Sequence, residues 1–231
     1  MASLNSTEGR AKYIYNFLKS HGCGDTCCVA IMGHLYRTTD GMTYPYNKIT
    51  IDTKGKTGKQ LGGGLRGYIY SVAVNMCKRY SVGNNAIEKL TAMNNYAQSC
   101  GQKPLTKGAE KAMNTRFPEG FPVPIDVQLQ DIIDTINKKC PEIKNGSMSG
   151  KEMSQIFRNI NNPKLGRPDG RWDHHSAQIC KQLGLDINKL NNTPTSTAAT
   201  ATSTTTTTQQ GDNGMNVLQW LFKLISTILG G

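Results

Sequence analysis

Apolar positions recur every three or four residues through most of residues 9–184, and the pattern then breaks off. Residues 9–20 place Tyr13, Ile14, Phe17 and Leu18 on one face of a predicted helix, which His21 and Gly22 end. Asp25 reads as the N-cap of a second helix over residues 26–36, with Val29, Met32 and Leu35 inward. Residues 40–64 are broken by Gly, Pro, Asp and Lys-Gly; only 48–52 looks strand-like, so a loop or small β-hairpin is expected.

Residues 65–80 are apolar enough for a buried helix, with a strand as the alternative because Ile69, Val72 and Val74 are β-branched. Asn84 or Asn85 caps the next helix, which carries Ile87, Leu90, Met93 and Tyr96 and closes at Gly101. The proline spacing of residues 117–124 demands extended chain. Asp126 starts a helix with Leu129, Ile132, Ile133 and Ile136 on one face. Ser149 and Glu152 match a capping box ahead of Met153, Ile156, Phe157 and Ile160. Asp173 is expected to cap the last helix, with Ala177, Cys180 and Leu183 inward and Gly184 as its stop. Six or seven helices with little strand make residues 1–190 a mainly α domain.

Beyond it, residues 193–208 hold ten Thr among Ser, Ala and Pro. Such a tract buries too little apolar surface to offset the cost of ordering its backbone, so 191–214 is expected to be a disordered linker. Residues 215–229 then predict an amphipathic helix. Asn216, Gln219, Lys223, Ser226 and Thr227 form a narrow polar stripe, while Trp220, Leu221, Phe222, Leu224 and Ile225 make the apolar face. Fifteen helical residues reach about 22 Å, short of the roughly 30 Å of a bilayer core. The segment therefore suits a membrane interface, self-association or a groove on a partner protein.

The formal charge of +11 sharpens the picture, because only Asp212 and Lys223 are charged after residue 190. The whole excess belongs to residues 1–190 and favours a polyanion: nucleic acid, anionic lipid or an acidic wall polymer. A generally solvated basic surface is the plain alternative. Seven cysteines at 23, 27, 28, 77, 100, 140 and 180 are odd in number and scattered, which points to reduced thiols and assembly in a reducing cytoplasm. Residues 1–12 are polar and no run of 18 apolar residues occurs, so neither a secretory leader nor an ordinary membrane span is expected.

The N-terminal segments read Ala11-Lys-Tyr-Ile-Tyr-Asn-Phe-Leu-Lys-Ser-His-Gly22 and Cys27-Cys-Val-Ala-Ile-Met-Gly-His-Leu-Tyr36. They resemble the opening of the phage tail lysozyme domain family: Ile-Trp-Asn-Phe-Leu-Lys, a Gly, an Ala-rich helix, then Gly-Ile-Leu-Gly-Asn-Met. Cys27 and Cys28 stand at the family's Ala positions. Residues 126–133, with the pair Gln128-Leu129, resemble the start of a late family helix; residues 148–157, 161–163 and 171–179 resemble its closing segments. The likeness covers roughly residues 9–45 and 126–184.

The resemblance implies a lysozyme-like fold, peptidoglycan as partner, glycan hydrolysis without a cofactor and a place in a virion made in the host cytoplasm. The family's catalytic Glu would fall at Thr38, where this chain has no acid. Hydrolysis needs a protonated carboxyl beside the glycosidic oxygen. Asp40 is therefore the candidate general acid, with Asp52 a weaker one; as a turn residue, Asp40 also has an ordinary explanation in its Asp-Gly pair. The family's Gly-Leu-Phe-Gln-Trp cleft segment falls at residues 64–68, where Tyr68 replaces the Trp. His34, Tyr36, Arg37 and Tyr68 are the candidate substrate-binding residues.

His174 and His175 are adjacent and diverge by about 100° on a helix, so no metal site is expected there. Leu61 to Gly64 lacks the Gly-Lys-Ser/Thr ending of a phosphate loop and reads as a flexible turn. The expected function is thus a phage virion or ejection component that binds, and if active cleaves, peptidoglycan. The C-terminal helix would join it to other virion proteins or a membrane interface. Competing readings are an inactive structural version of the fold and a basic protein packaged with nucleic acid.

Overall fold

The computed structural model describes residues 4–43, 49–55, 58–100, 107–145, 147–161 and 170–191. All of them lie in the first of the two units into which the chain divides, residues 1–196. The Thr-rich tract, Gly101 and the segment bearing Trp220, Leu221, Phe222, Leu224 and Ile225 lie outside the described residues.

Two helices open the fold, α1 (Thr7–Ser20) and α2 (Asp25–Thr38). Ser6 caps α1 by accepting from the Gly9 amide at 2.9 Å, and His21 closes it, with Gly22 at φ +86. In α2, every residue from Thr26 to Leu35 is buried. A helix apolar on all sides sits inside a core rather than on it. Cys27, Cys28, Ala30 and Gly33 are small enough to let neighbours close in: a Cβ on Gly33 would stand 3.5 Å from the Arg171 carbonyl oxygen.

Asp25 is not the cap expected of it. Gly24 holds that place, and Asp25 in the first turn accepts from the Tyr15 hydroxyl at 2.8 Å and pairs with Lys19 at 2.6 Å. Those two donors hold its carboxyl below the ordinary range, Lys19 foremost. The exit from α2 is held by Arg10, whose buried guanidinium donates to the carbonyls of Leu4, Met42 and Thr43 at 2.7–2.9 Å.

The expected hairpin is a three-stranded antiparallel sheet in the order β1 (Ile49–Gly55), β2 (Gly58–Gly63), β3 (Tyr68–Ile69). Ile51 pairs with Leu61, Asp52 with Gln60 and Gly63 with Tyr68. Gly62 and Gly63 finish β2 rather than forming a loose turn, and Gly64 turns the chain at φ +72. Residues 65–80 realise both expectations, since β3 leads directly into α3 (Tyr70–Arg79).

Then follow α4 (Asn84–Ser99), α5 (Lys107–Arg116), α6 (Ile125–Lys139), a 3-10 turn (Pro141–Asn145), α7 (Gly150–Asn161), α8 (Arg171–Leu183) and α9 (Ile187–Asn191). Helix α6 begins one residue before Asp126, with Pro124 at its cap. At α7 the capping box forms: the Ser149 amide donates to Glu152 at 2.8 Å, and the Glu152 amide to the Ser149 hydroxyl at 3.3 Å. Helix α8 starts at Gly170, not Asp173, whose carboxylate is committed to Lys151 at 2.9 Å. Ala177 is exposed on α8, while Ile179 and Cys180 turn inward, and Gly184 stops the helix at φ +70.

Two cores result. The larger gathers α1, α2, α6, α7 and α8 around Leu18, Ile31, Leu35, Ile132 and Phe157. The smaller gathers the sheet with α3, α4 and α5 around Leu61, Met76, Leu90, Met93 and Phe121. Trp172 closes the larger one by lying so near α7 that a Cβ on Gly150 would fall 2.1 Å from its ring. Six of the seven cysteines are buried free thiols, and Cys100 is half-buried.

Gln128 of α6 ties the cores together. Fully buried, it accepts the Leu65 amide and donates to the Val123 carbonyl, both at 2.7 Å. Its own carbonyl takes the Tyr68 hydroxyl at 3.1 Å. Gly64 carries no Cβ where one would stand 2.4 Å from the Gln128 amide oxygen. Gln128→Leu fits the space but orphans the Leu65 amide and the Val123 carbonyl. At about 1–3 kcal/mol for each of the two buried orphans, urea denaturation of the full chain should show a loss of about 2–6 kcal/mol. A loss near zero would mean that water satisfies both groups.

Candidate functional site: a cationic cleft between the two cores

Where α2 ends, a cleft of about 870 Å³ opens between the cores. His34 and Thr38 enter it from α2, Arg66 to Ile69 from the turn into β3, and Val72 and Arg79 from α3. Helix α6 contributes Asp131, Asp134, Thr135, Lys138 and Lys139; α7 contributes Phe157 and Ile160, and α8 Arg171. The spacing of 131, 134, 135 and 138 puts those residues along one face of α6, beside the apolar positions Ile132, Ile133 and Ile136 that enter the larger core.

Five cationic side chains, Arg66, Arg79, Lys138, Lys139 and Arg171, face two carboxylates, Asp131 and Asp134. Asp131 is the one buried acid among the described residues. Its two oxygens answer different guanidiniums: Arg79 reaches one at 3.2 Å and Arg66 lies 3.7 Å from the other. Arg66 is further held over the rings of Tyr68 and Phe157, 5.7 Å from each centroid. Asp134 accepts from the Tyr80 hydroxyl at 2.7 Å and the Gln130 amide at 2.8 Å.

Burial pushes the Asp131 carboxyl above the ordinary carboxylate range, with Asp134 adding to it, despite the opposing pull of Arg66 and Arg79. Desolvation thus outweighs the pairing. A buried carboxyl with a raised pKa that lines a cleft is a candidate functional group. Burial likewise raises the Tyr68 hydroxyl.

His34 is buried. Its Nε2 lies 3.0 Å from the Ser154 carbonyl, so that nitrogen carries the proton, and its ring meets Phe157 edge-on at 5.1 Å. Of the expected binding residues, His34 and Tyr68 therefore meet in the cleft, and Thr38 joins them.

Tyr36, Arg37 and Asp40 do not line it. Tyr36 turns to α8, where its hydroxyl donates to Gln178 and its ring stacks on His175 at 4.9 Å. Arg37 is exposed. Asp40 is an exposed turn residue at φ +50, its carbonyl accepting the Thr43 amide at 3.2 Å. Asp52 pairs through its backbone in the β1–β2 ladder. Sequence reasoning passed over Arg66, Arg79, Asp131 and Lys138. A signal did exist: Asp131 stands directly before the apolar pair Ile132-Ile133 and two residues after Leu129, among the inward positions of the helix.

The raised pKa fixes a sign. The native state holds the Asp131 proton more tightly than the unfolded chain, so this group favours folding below the ordinary carboxylate pKa. That contribution is lost as pH rises through the higher native pKa. Asp131→Asn should therefore flatten the fall in stability between acid and neutral pH and leave Tm at pH 7 equal or higher. A marked drop in Tm at pH 7 would show instead that the ion pairs dominate. Comparison with family models, curated proteins and solved structures brings no match to this chain, so the reading of the cleft rests on its own geometry.

Proposed function

We propose that residues 1–190 form a lysozyme-like domain of a bacteriophage virion, and that its cleft binds the glycan strand of peptidoglycan during envelope penetration. One observation carries the reading. The helix that resembles the family's catalytic helix, α2, ends in a long cationic cleft, and a three-stranded sheet with its own core follows on the far side. Apolar and aromatic surface from Tyr68, Ile69, Val72 and Phe157 suits sugar faces, while the surrounding cations suit an acidic wall. The segment 215–229, with Trp220 and Phe222 on its apolar side, would then join the domain to other virion proteins or a membrane interface.

Hydrolysis is a second reading with its own support. Asp131 and Asp134, not Asp40, are the described acids that line the cleft, and burial shifts the Asp131 carboxyl toward the protonated form a general acid needs. Thr38, Tyr68 and His34 would then position the sugar, with no cofactor required. An inactive wall-binding version keeps the same cleft without turnover.

Purified sacculi separate these readings when incubated with the full chain. Binding that weakens with salt is expected, together with clearing of the suspension that Asp131→Asn abolishes and Asp40→Asn leaves intact. Binding without clearing selects the inactive version. Loss of clearing with Asp40→Asn alone would return the acid to the turn after α2. Salt-sensitive DNA binding with no sacculus binding would replace the proposal by the nucleic-acid reading.

A further inference from the structure

Resting on the cleft reading above, we infer that Arg66 and Arg79, bridged by Asp131, form a prepared oxyanion subsite that takes a carboxylate or phosphodiester carried on the wall polymer. Three observations converge on it. Arg66 is confined: its side chain is only 18% exposed, and its guanidinium lies over the Tyr68 and Phe157 rings, 5.7 Å from each centroid. A guanidinium clamped in one orientation has already lost the rotamer freedom that binding would otherwise cost. Arg79 is 59% exposed, with one terminal nitrogen on Asp131 and its guanidinium over the Tyr80 ring, so it is open to an incoming ligand.

Asp131 is the second observation. Its carboxylate stands between the two guanidiniums, 3.2 Å from one and 3.7 Å from the other, where it holds both at the cleft wall. Across the cleft, five cations face the two described carboxylates, Asp131 and Asp134. Each guanidinium presents five N–H donors in a planar fork, more than a single carboxylate can accept. The third is the setting: Lys138, Lys139 and Arg171 line the same cleft, and the other carboxylate on its wall among the described residues, Asp134, accepts from Tyr80 and Gln130. The cleft therefore combines net positive charge with the apolar surface of Val72 and Ile69. A ligand with a flat sugar face and a pendant oxyanion matches both halves.

The subsite is tested with the full chain and four probes by calorimetric titration. These are a neutral N-acetylglucosamine oligomer, a disaccharide carrying a free lactyl carboxylate, its methyl ester, and poly(glycerol phosphate). The free carboxylate should bind roughly tenfold tighter than its ester, as a charge-assisted hydrogen bond allows. Arg79→Gln should erase that difference. Arg66→Lys should do the same, because an ammonium keeps the charge but not the stacked fork.

Preference for the carboxylate or for the phosphodiester identifies the source of the anion. Equal affinity for acid and ester, together with poly(glycerol phosphate) binding that neither variant changes, overturns the subsite and leaves glycan binding standing. Poly(glycerol phosphate) binding that Arg79→Gln weakens, with no sacculus or oligomer binding, keeps the subsite and removes the peptidoglycan reading. Arg79 is largely exposed, so its variant remains informative even if Arg66→Lys fails to fold.

Discussion

Ten consecutive buried residues, Thr26 to Leu35, make α2 the rod on which the described structure is assembled. A helix surrounded on every side must be contacted by partners from several directions, and α1, α7 and α8 supply them. Close approach is possible because the helix is thin where its neighbours cross. Cys27, Cys28, Ala30 and Gly33 leave room that Leu or Met would fill. Since the partners fix α2 in register, they also fix where it ends, and that end sets one wall of the cleft through His34 and Thr38.

The opposite wall is governed by electrostatics rather than by shape. Asp131 is drawn into a buried position that its carboxylate does not favour, and two guanidiniums gather around it. Taken alone, such a triad contributes little to folding, since removing charges from water opposes their attraction. It makes better sense as an arrangement that keeps cations oriented in a cleft. His34 and Phe157, packed edge to face beneath Arg66, complete a floor with polar and aromatic parts interleaved.

Helix periodicity and capping chemistry made most of the helices legible in the sequence, because those signals act over three or four residues. The Ser149–Glu152 box and the Gly184 stop form as read. Asp25 and Asp173 were misassigned as caps for a common reason. A first-turn carboxylate interacts favourably with the helix dipole wherever it sits, and tertiary partners, Lys19 and Lys151, took those oxygens.

The site was harder to read. Arg66 and Asp131 are 65 residues apart, and nothing local marks a guanidinium destined to lie over two rings. His34 and Tyr68, expected as substrate-binding residues from the resemblance, line the cleft. Asp40 came from the same likeness, but the turn that Arg10 pins through Met42 and Thr43 holds it in solvent.

The division into two cores has a dynamic consequence. Arg66 follows the strands of the smaller core, Asp131 belongs to a helix of the larger one, and the buried Gln128 amide joins them. The sheet-bearing core is thus a natural cooperative unit, able to open without dissolving the packing around α2. Any molecule held by both walls must oppose that opening. Occupancy of the cleft would then appear as slower amide exchange throughout α3 and α4, well beyond the residues it touches.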